Sequence, residues 1–140
     1  MAYTYKYPRM LVTVDIIVFF DSKVLLIQRK NDPFKGSFAL PGGFVEMNET
    51  LKEAANRELL EETGLKGIEL TQLAAFDKPD RDPRDRNISI AFYGFTTIEN
   101  SSIQGGDDAD NAQWISIDNL PKLVFDHNEI IEFSKKRLGF

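Results

Sequence analysis

The stretch RELLEETG, residues 57–64, closes a segment that otherwise reads as an ordinary amphipathic helix, yet it packs Glu58, Glu61 and Glu62 into two turns. Upstream, Thr50 followed by Glu53 forms a capping box, and Gly64 is a helix terminator, so the spacing predicts a helix over 50–63. At about 100° per residue, Leu51, Ala54 and Ala55 define its apolar stripe. Glu58 and Glu62, one turn apart, fall on that stripe, and Glu61 lies at its edge. Glu53 and Arg57 point elsewhere, spaced as an i, i+4 ion pair. The core-facing side of the helix therefore turns acidic. Like charges one turn apart repel even when exposed, and turned inward they cost far more unless paired. No Lys or Arg sits on the stripe. A hard divalent cation such as Mg²⁺ takes oxygen ligands and resolves the conflict; a solvated acidic helix end is the plainer alternative. The acids also stand near the helix C-terminus, against the macrodipole, which favours the metal reading.

The rest of the composition narrows the options. A chain of 140 residues with 42% hydrophobic content fits one domain, residues 1–140, around one core. Cysteine is absent, which removes disulfides, thiolate nucleophiles and Cys-based zinc sites. His127 is the only histidine, so neither a multi-histidine metal site nor a Ser-His-Asp triad is expected. Net charge is −5 and no long Lys/Arg run occurs, so nucleic acid is not an expected partner. The longest apolar run, MLVTVDIIVFF at 10–20, is too short to span a bilayer, carries Asp15 and lacks a signal-peptide cleavage site. A soluble cytoplasmic protein without a membrane partner is the expectation.

Along the chain, residues 10–20 read as a buried strand and KVLLIQRK, 23–30, as its hairpin partner across Asp21-Ser22. FALPGGFVEM, 38–47, combines strand-forming residues with Pro41-Gly42-Gly43, where backbone must bend or approach something closely. Two further strands are expected over 66–78 and 87–98, joined by the loop KPDRDPRDRN. A Gly-Gly-Asp-Asp turn at 105–108 leads to a short strand at 112–116, and a last helix begins near Asp126, with Asp126 and Glu129 as a second capping pattern. Tyr3, Tyr5 and Tyr7 alternate as in an edge strand, either local or added to a partner's sheet in a homodimer. Strands and helices mix without strict βαβ alternation, so a mixed sheet with helices packed on it is expected.

Gly43, Glu49 and the run Arg57-Glu58-Leu59-Leu60-Glu61-Glu62-Thr63-Gly64-Leu65, with five and seven intervening residues, match all nine fixed or class-restricted positions of the Nudix box over 23 residues. The chain thus resembles the Nudix hydrolase family, most closely its bacterial ADP-ribose pyrophosphatases. The resemblance implies an α/β fold of the α+β type, a mixed β-sheet sandwiched between helices. It also implies water attack on the pyrophosphate of a nucleoside diphosphate linked to a second group, with Mg²⁺, or Mn²⁺ in its place. By matching position, Glu58 and Glu62 are the principal metal ligands, Glu61 is a further ligand or a neighbour of them, and the Gly42 carbonyl is another ligand. Arg57 orients the glutamates, with Glu49 as its partner.

Substrate choice lies outside the box. PDRDPRDRNISIAFYG (79–94), GGDDADNAQW (105–114) and FDHNEII (125–131) resemble the ADP-ribose pyrophosphatases, although Asp85 stands where a small residue is more usual. Arg81, Arg84 and Arg86 either grip the second phosphate or terminal ribose, or pair with neighbouring Asp residues or a dimer partner. Asp108, ahead of Asp107, is the candidate for the acid that related enzymes carry on this loop; a plain turn is the alternative. Phe19 and Phe20 alternate faces, so one of them lines a base pocket while the other packs, with Phe19 the candidate. Trp114 reads as core, and His127 as packing at a helix start. The expected activity is ADP-ribose hydrolysis to AMP and ribose 5-phosphate. A triphosphate house-cleaning hydrolase and a non-catalytic ADP-ribose sensor are the alternatives; the second is disfavoured because the box glutamates are intact and the chain stops at Phe140.

Overall fold

The computed structural model describes residues 2–32, 34–97 and 111–139. Their centre is β1 (Leu11–Phe20), buried on both faces from Val14 to Phe19. It pairs in parallel with β6 (Asn87–Phe95) along its whole length, from Leu11 opposite Asn87 to Phe19 opposite Phe95. Its other edge is divided. Near the C-terminal end it forms a hairpin with β2 (Lys23–Gln28), and towards the N-terminal end it pairs antiparallel with β4 (Gly42–Phe44). Two-residue β3 (Phe38–Ala39) and β7 (Ala112–Ser116) both pair with β2, and β5 (Thr71–Phe76) closes the far side against β6. The result is a seven-stranded mixed sheet.

Because strand side chains alternate, β1 addresses two layers. Val14, Ile16 and Val18 pack with Ala54, Ala55 and Leu59 of helix α1 (Leu51–Thr63). Ile17 and Phe19 face Ile130 and Ile131 of helix α2 (His127–Leu138). The expected sandwich of a mixed sheet between helices is therefore present. Helix α1 starts and stops as its residues dictate: Thr50 and Glu53 close a reciprocal capping box, and Gly64 ends the helix at φ 79°.

The break expected at Pro41-Gly42-Gly43 divides the segment 38–47: Pro41 has no N–H to donate, and β3 and β4 on either side of it join different partners. Three local expectations are corrected. The strand expected over 66–78 shortens to 71–76. Gly67 turns the chain at φ 75°, and Leu65, Ile68 and Leu70 reach the core from irregular backbone. Residues 2–10 form no strand in this chain, and Tyr3, Tyr5 and Tyr7 are exposed. Asp126 occupies the cap position of α2 but makes no side-chain capping bond, because its carboxylate is engaged by Arg81. No helix among the described residues is long and apolar enough to cross a membrane.

Candidate active site

Helix α1 presents its last two turns to the β3–β4 junction. Glu62, one of the few buried charged residues at 9% exposure, accepts a hydrogen bond from the Gly42 N–H at 2.8 Å. Glu58 lies against Gly43, where an added Cβ would come within 2.5 Å of its Oε1. A side chain at Gly42 would collide with the Val14 carbonyl oxygen and approach Asp15 Oδ1 to 2.6 Å. Position 42 therefore requires glycine, because fixed backbone would be struck, whereas a side chain at 43 would push the Glu58 carboxylate aside. The face holding Ala54, Ala55 and Leu59 in the core does turn acidic at Glu58 and Glu62.

Arg57 organises these acids. Its Nε and Nη2 donate to the two Glu49 carboxylate oxygens at 3.0 and 2.6 Å, its Nη1 donates to Glu58 Oε1 at 2.8 Å and to Glu61 Oε2 at 3.3 Å, and its Nη2 also reaches the Phe44 carbonyl at 3.0 Å. One guanidinium hydrogen-bonds three carboxylates, and a fourth, Glu46, stands 3.8 Å from its Nε. The Glu53–Arg57 pair expected from spacing gives way to this set, since Glu53 is used in the capping box. The Arg57 hydrogen bonds are also the main reason the half-buried Glu49 carboxyl falls to a pKa of about 2. In return the Glu49 bond, reinforced by Glu58, raises that of Arg57. Glu58 moves the other way. Burial raises its pKa, Glu61 adds like-charge repulsion, and Arg57 only partly offsets them.

The opposite wall of the cleft descends from β1 and α2. Arg81 is buried, and its Nε and Nη2 donate to both Asp126 oxygens at 2.9 and 2.7 Å. It also bonds the Asn87 side-chain oxygen, and its Nη2 stands 3.6 Å from Asp15 Oδ2. Burial works against the Arg81 charge, yet Asp126 and Asp15 outweigh it and raise the pKa. Asp15 accepts from the Ser89 hydroxyl, and its Oδ1 lies 3.4 Å from Nε2 of buried His127. Arg84 grips Asp82 through two nitrogens and lies over the Phe125 ring, 5.3 Å from its centre. Gly42, Gly43, Glu62, Arg81, Arg84 and His127 all line one cleft.

A NUDIX domain model matches residues 10–133. An ADP-ribose pyrophosphatase of Methanocaldococcus jannaschii is 51% identical over 86% of this chain and 70% of its own length. The ADPR responsive transcriptional repressor NtrR of Acinetobacter baylyi is 34% identical over 95% of this chain, which spans 56% of that protein. Among solved structures, the NUDIX domain of Shewanella oneidensis NrtR complexed with ADP ribose superposes with a TM-score of 0.85. It is 31% identical, covering 97% of this chain and 94% of that one.

This chain belongs to the Nudix hydrolase family.

The Nudix box residues Arg57, Glu58, Glu61 and Glu62 share one end of α1, where Glu62 and Glu58 meet Gly42 and Gly43 while Glu61 is largely exposed. Among the described residues, no three carboxylates or histidines already converge as a metal-holding cluster. What is present is a pair of shielded oxygen donors beside side-chain-free backbone, which suits a hard cation. Outside the box the picture is mixed. Arg81 is not an exposed hand but a buried member of an ion-pair network, Arg86 Nη1 donates to the Asp77 carbonyl at 2.6 Å, and Arg84 alone of the three both lines the cleft and stays 40% exposed. Phe19, expected at a base pocket, is 1% exposed in the core beneath α2, stacked on Phe95. Phe20 meets Trp114 edge-on, and Trp114 packs against the α1 core. Asp107 and Asp108 lie outside the described residues. Sequence reading missed Asp15, Asp82, Asn87 and Asp126 as cleft-wall groups. One signal was available for Asp15, a lone carboxylate in the middle of an apolar strand.

Proposed function

We propose that this Nudix domain hydrolyses the pyrophosphate bond of ADP-ribose, giving AMP and ribose 5-phosphate, with Mg²⁺, or Mn²⁺ in its place, held by Glu58, Glu62 and the Gly42 carbonyl. The observation that carries the reaction class is the placement of Glu58 and Glu62 on the α1 face directed at the Gly42–Gly43 backbone. The substrate rests on the 51% identity to an ADP-ribose pyrophosphatase.

When bound, the metal ion would neutralise charge building on the diphosphate and lower the pKa of an attacking water. The chain's own residues prepare the place. Arg57 holds the Glu58 carboxylate in one direction while the Glu49 bond keeps the guanidinium itself from swinging. Glycine at 42 and 43 leaves the backbone open to close approach by phosphate oxygens. Arg84 lines the cleft, where the Nη1 N–H groups left over from its Asp82 pair can meet a distal phosphate or ribose.

A sensing role is the second reading, favoured by the 34% identity to an ADP-ribose-responsive repressor. Incubation with ADP-ribose, NADH, diadenosine polyphosphates and nucleoside triphosphates in Mg²⁺ separates the readings. The expected result is preferential release of AMP from ADP-ribose. Turnover without that preference would overturn the substrate, and tight ADP-ribose binding without turnover would establish the sensor.

A further inference from the structure

The three residues between β3 and the body of β4 are held from three directions. The Pro41 carbonyl accepts from the Ile16 N–H of β1 at 2.8 Å. The Gly42 N–H donates to Glu62 of α1 at 2.8 Å. The Leu40 N–H donates to Nδ1 of His127, at the start of α2, at 3.0 Å. Leu40 and His127 are 2% and 4% exposed, so water cannot replace that last bond. Pro41 has no N–H, so Leu40 provides the last main-chain donor before Gly42. An imidazole, not a strand, satisfies it.

The imidazole is itself oriented. A nitrogen that accepts from a backbone N–H carries no proton, so the neutral ring bears its proton on Nε2. That nitrogen stands 3.4 Å from Asp15 Oδ1. Asp15 is in turn fixed by the Ser89 hydroxyl and sits beside Arg81. Asp15 is also the register partner of Gly42 across β1 and β4. The network thus touches the Gly42 backbone twice, once through Leu40 and once through the strand pairing. Burial disfavours a charged imidazole here, in keeping with this tautomer.

We infer that His127, oriented by Asp15, is a positioning residue that fixes the Leu40–Pro41–Gly42 backbone and thereby the direction of the Gly42 carbonyl, from the helix layer opposite the Nudix box. The assignment rests on the hydrolase reading above, in which that carbonyl is a metal ligand. It gives α2, which contributes none of the box residues, a part in the metal site. Outer partners that orient ligands commonly govern metal affinity by about 10–100-fold.

The test uses the full chain and two independent readouts. His127 is the only histidine, so its imidazole nitrogens give unambiguous ¹⁵N signals. In metal-free protein the Nδ1 resonance is expected in the unprotonated position with Nε2 protonated, and Mg²⁺ is expected to shift Nδ1. The opposite tautomer, or no shift at saturating Mg²⁺, overturns the assignment without any variant. Calorimetric Mn²⁺ binding then compares wild type with His127→Leu, His127→Asn and Phe133→Ala, the last matched for lost stability. His127→Leu is expected to weaken Mn²⁺ by about tenfold or more. His127→Asn, whose side-chain oxygen can accept from Leu40, recovers most of that loss, and Phe133→Ala leaves the affinity alone. Equal Mn²⁺ affinity in wild type and His127→Leu, or equal weakening in Phe133→Ala, overturns the positioning role while leaving the hydrolase reading intact. Wild-type protein that binds no Mn²⁺ overturns both.

Discussion

The two walls of the cleft handle buried charge in opposite ways. On the α1 side, Arg57 is divided among Glu49, Glu58 and Glu61, and its side chain remains 24% exposed. On the α2 side, Arg81 is 3% exposed and spends both prongs on Asp126, with Asn87 and Asp15 filling the remaining directions. A divided guanidinium leaves carboxylate oxygens with room for another cation. One that takes up both oxygens of a single carboxylate does not, and its removal strands the acids around it. The same residue types therefore leave one wall open to a ligand and lock the other into the architecture.

The largest effect should come from breaking the architectural wall. Arg81→Met leaves Asp126 and Asp15 buried without their cation, and loss of one partner of such a pair costs about 3–5 kcal/mol. Thermal unfolding of the variant is expected to show a clear drop in midpoint. An unchanged midpoint would mean that the two walls are not so different. Glu62→Gln should do the reverse. On the proposed hydrolase reading, loss of the Glu62 charge is expected to lower turnover of ADP-ribose by at least about a hundredfold, or about 3 kcal/mol in the barrier. Its unfolding midpoint should stay near wild type, because a crowd of like charges is relieved. Glu58→Gln belongs with it. A stability loss matching Arg81→Met, with activity retained, would erase the contrast.

The smallest effect sharpens the comparison through pH. Burial lowers the pKa of His127, and although Asp15 and Asp126 pull it upward, Arg81 and Arg29 add to the lowering. The unfolded imidazole, near 6.5, then binds a proton more readily than the folded one. The stability contributed by the neutral ring is complete above about pH 6.5 and is lost as pH falls towards the depressed folded value, by at most about 1.4 kcal/mol per pH unit. Midpoints measured from pH 8 down to 5 should show this acid limb in wild type and lack it in His127→Asn. The limb persisting in that variant would assign it to carboxylates instead.

Helix α1 was legible because everything that shapes it is local. Thr50 and Glu53 cap it, Gly64 stops it, and its stripe follows helical periodicity through Glu62. The arginine loop was not legible, because Arg81 is defined by partners at positions 15, 87 and 126 that no spacing rule connects. The same long-range pull overrode the Asp126 cap: a buried guanidinium outweighs a helix-end N–H as a carboxylate's partner. Pro41 was seen as a bend, but the change of strand partner there depends on β1 offering one edge to both β2 and β4. For Phe19 the alternation along β1 was visible, and only the packing of α2 on its face made it core instead of pocket lining.

The full-length parallel pairing of β1 with β6 also shapes how the protein reaches its native state. During synthesis, Leu11 to Phe19 emerge long before Asn87 to Phe95, their eventual neighbours. Until then β1 is a sticky apolar ribbon with one edge open to other chains. Closing so distant a pair is slow, and the cleft cannot exist before it closes, since Asp15 on β1 and Asn87 on β6 belong to the same wall. Nascent and partly refolded molecules would be silent towards nucleotides and most prone to clump at the same moment.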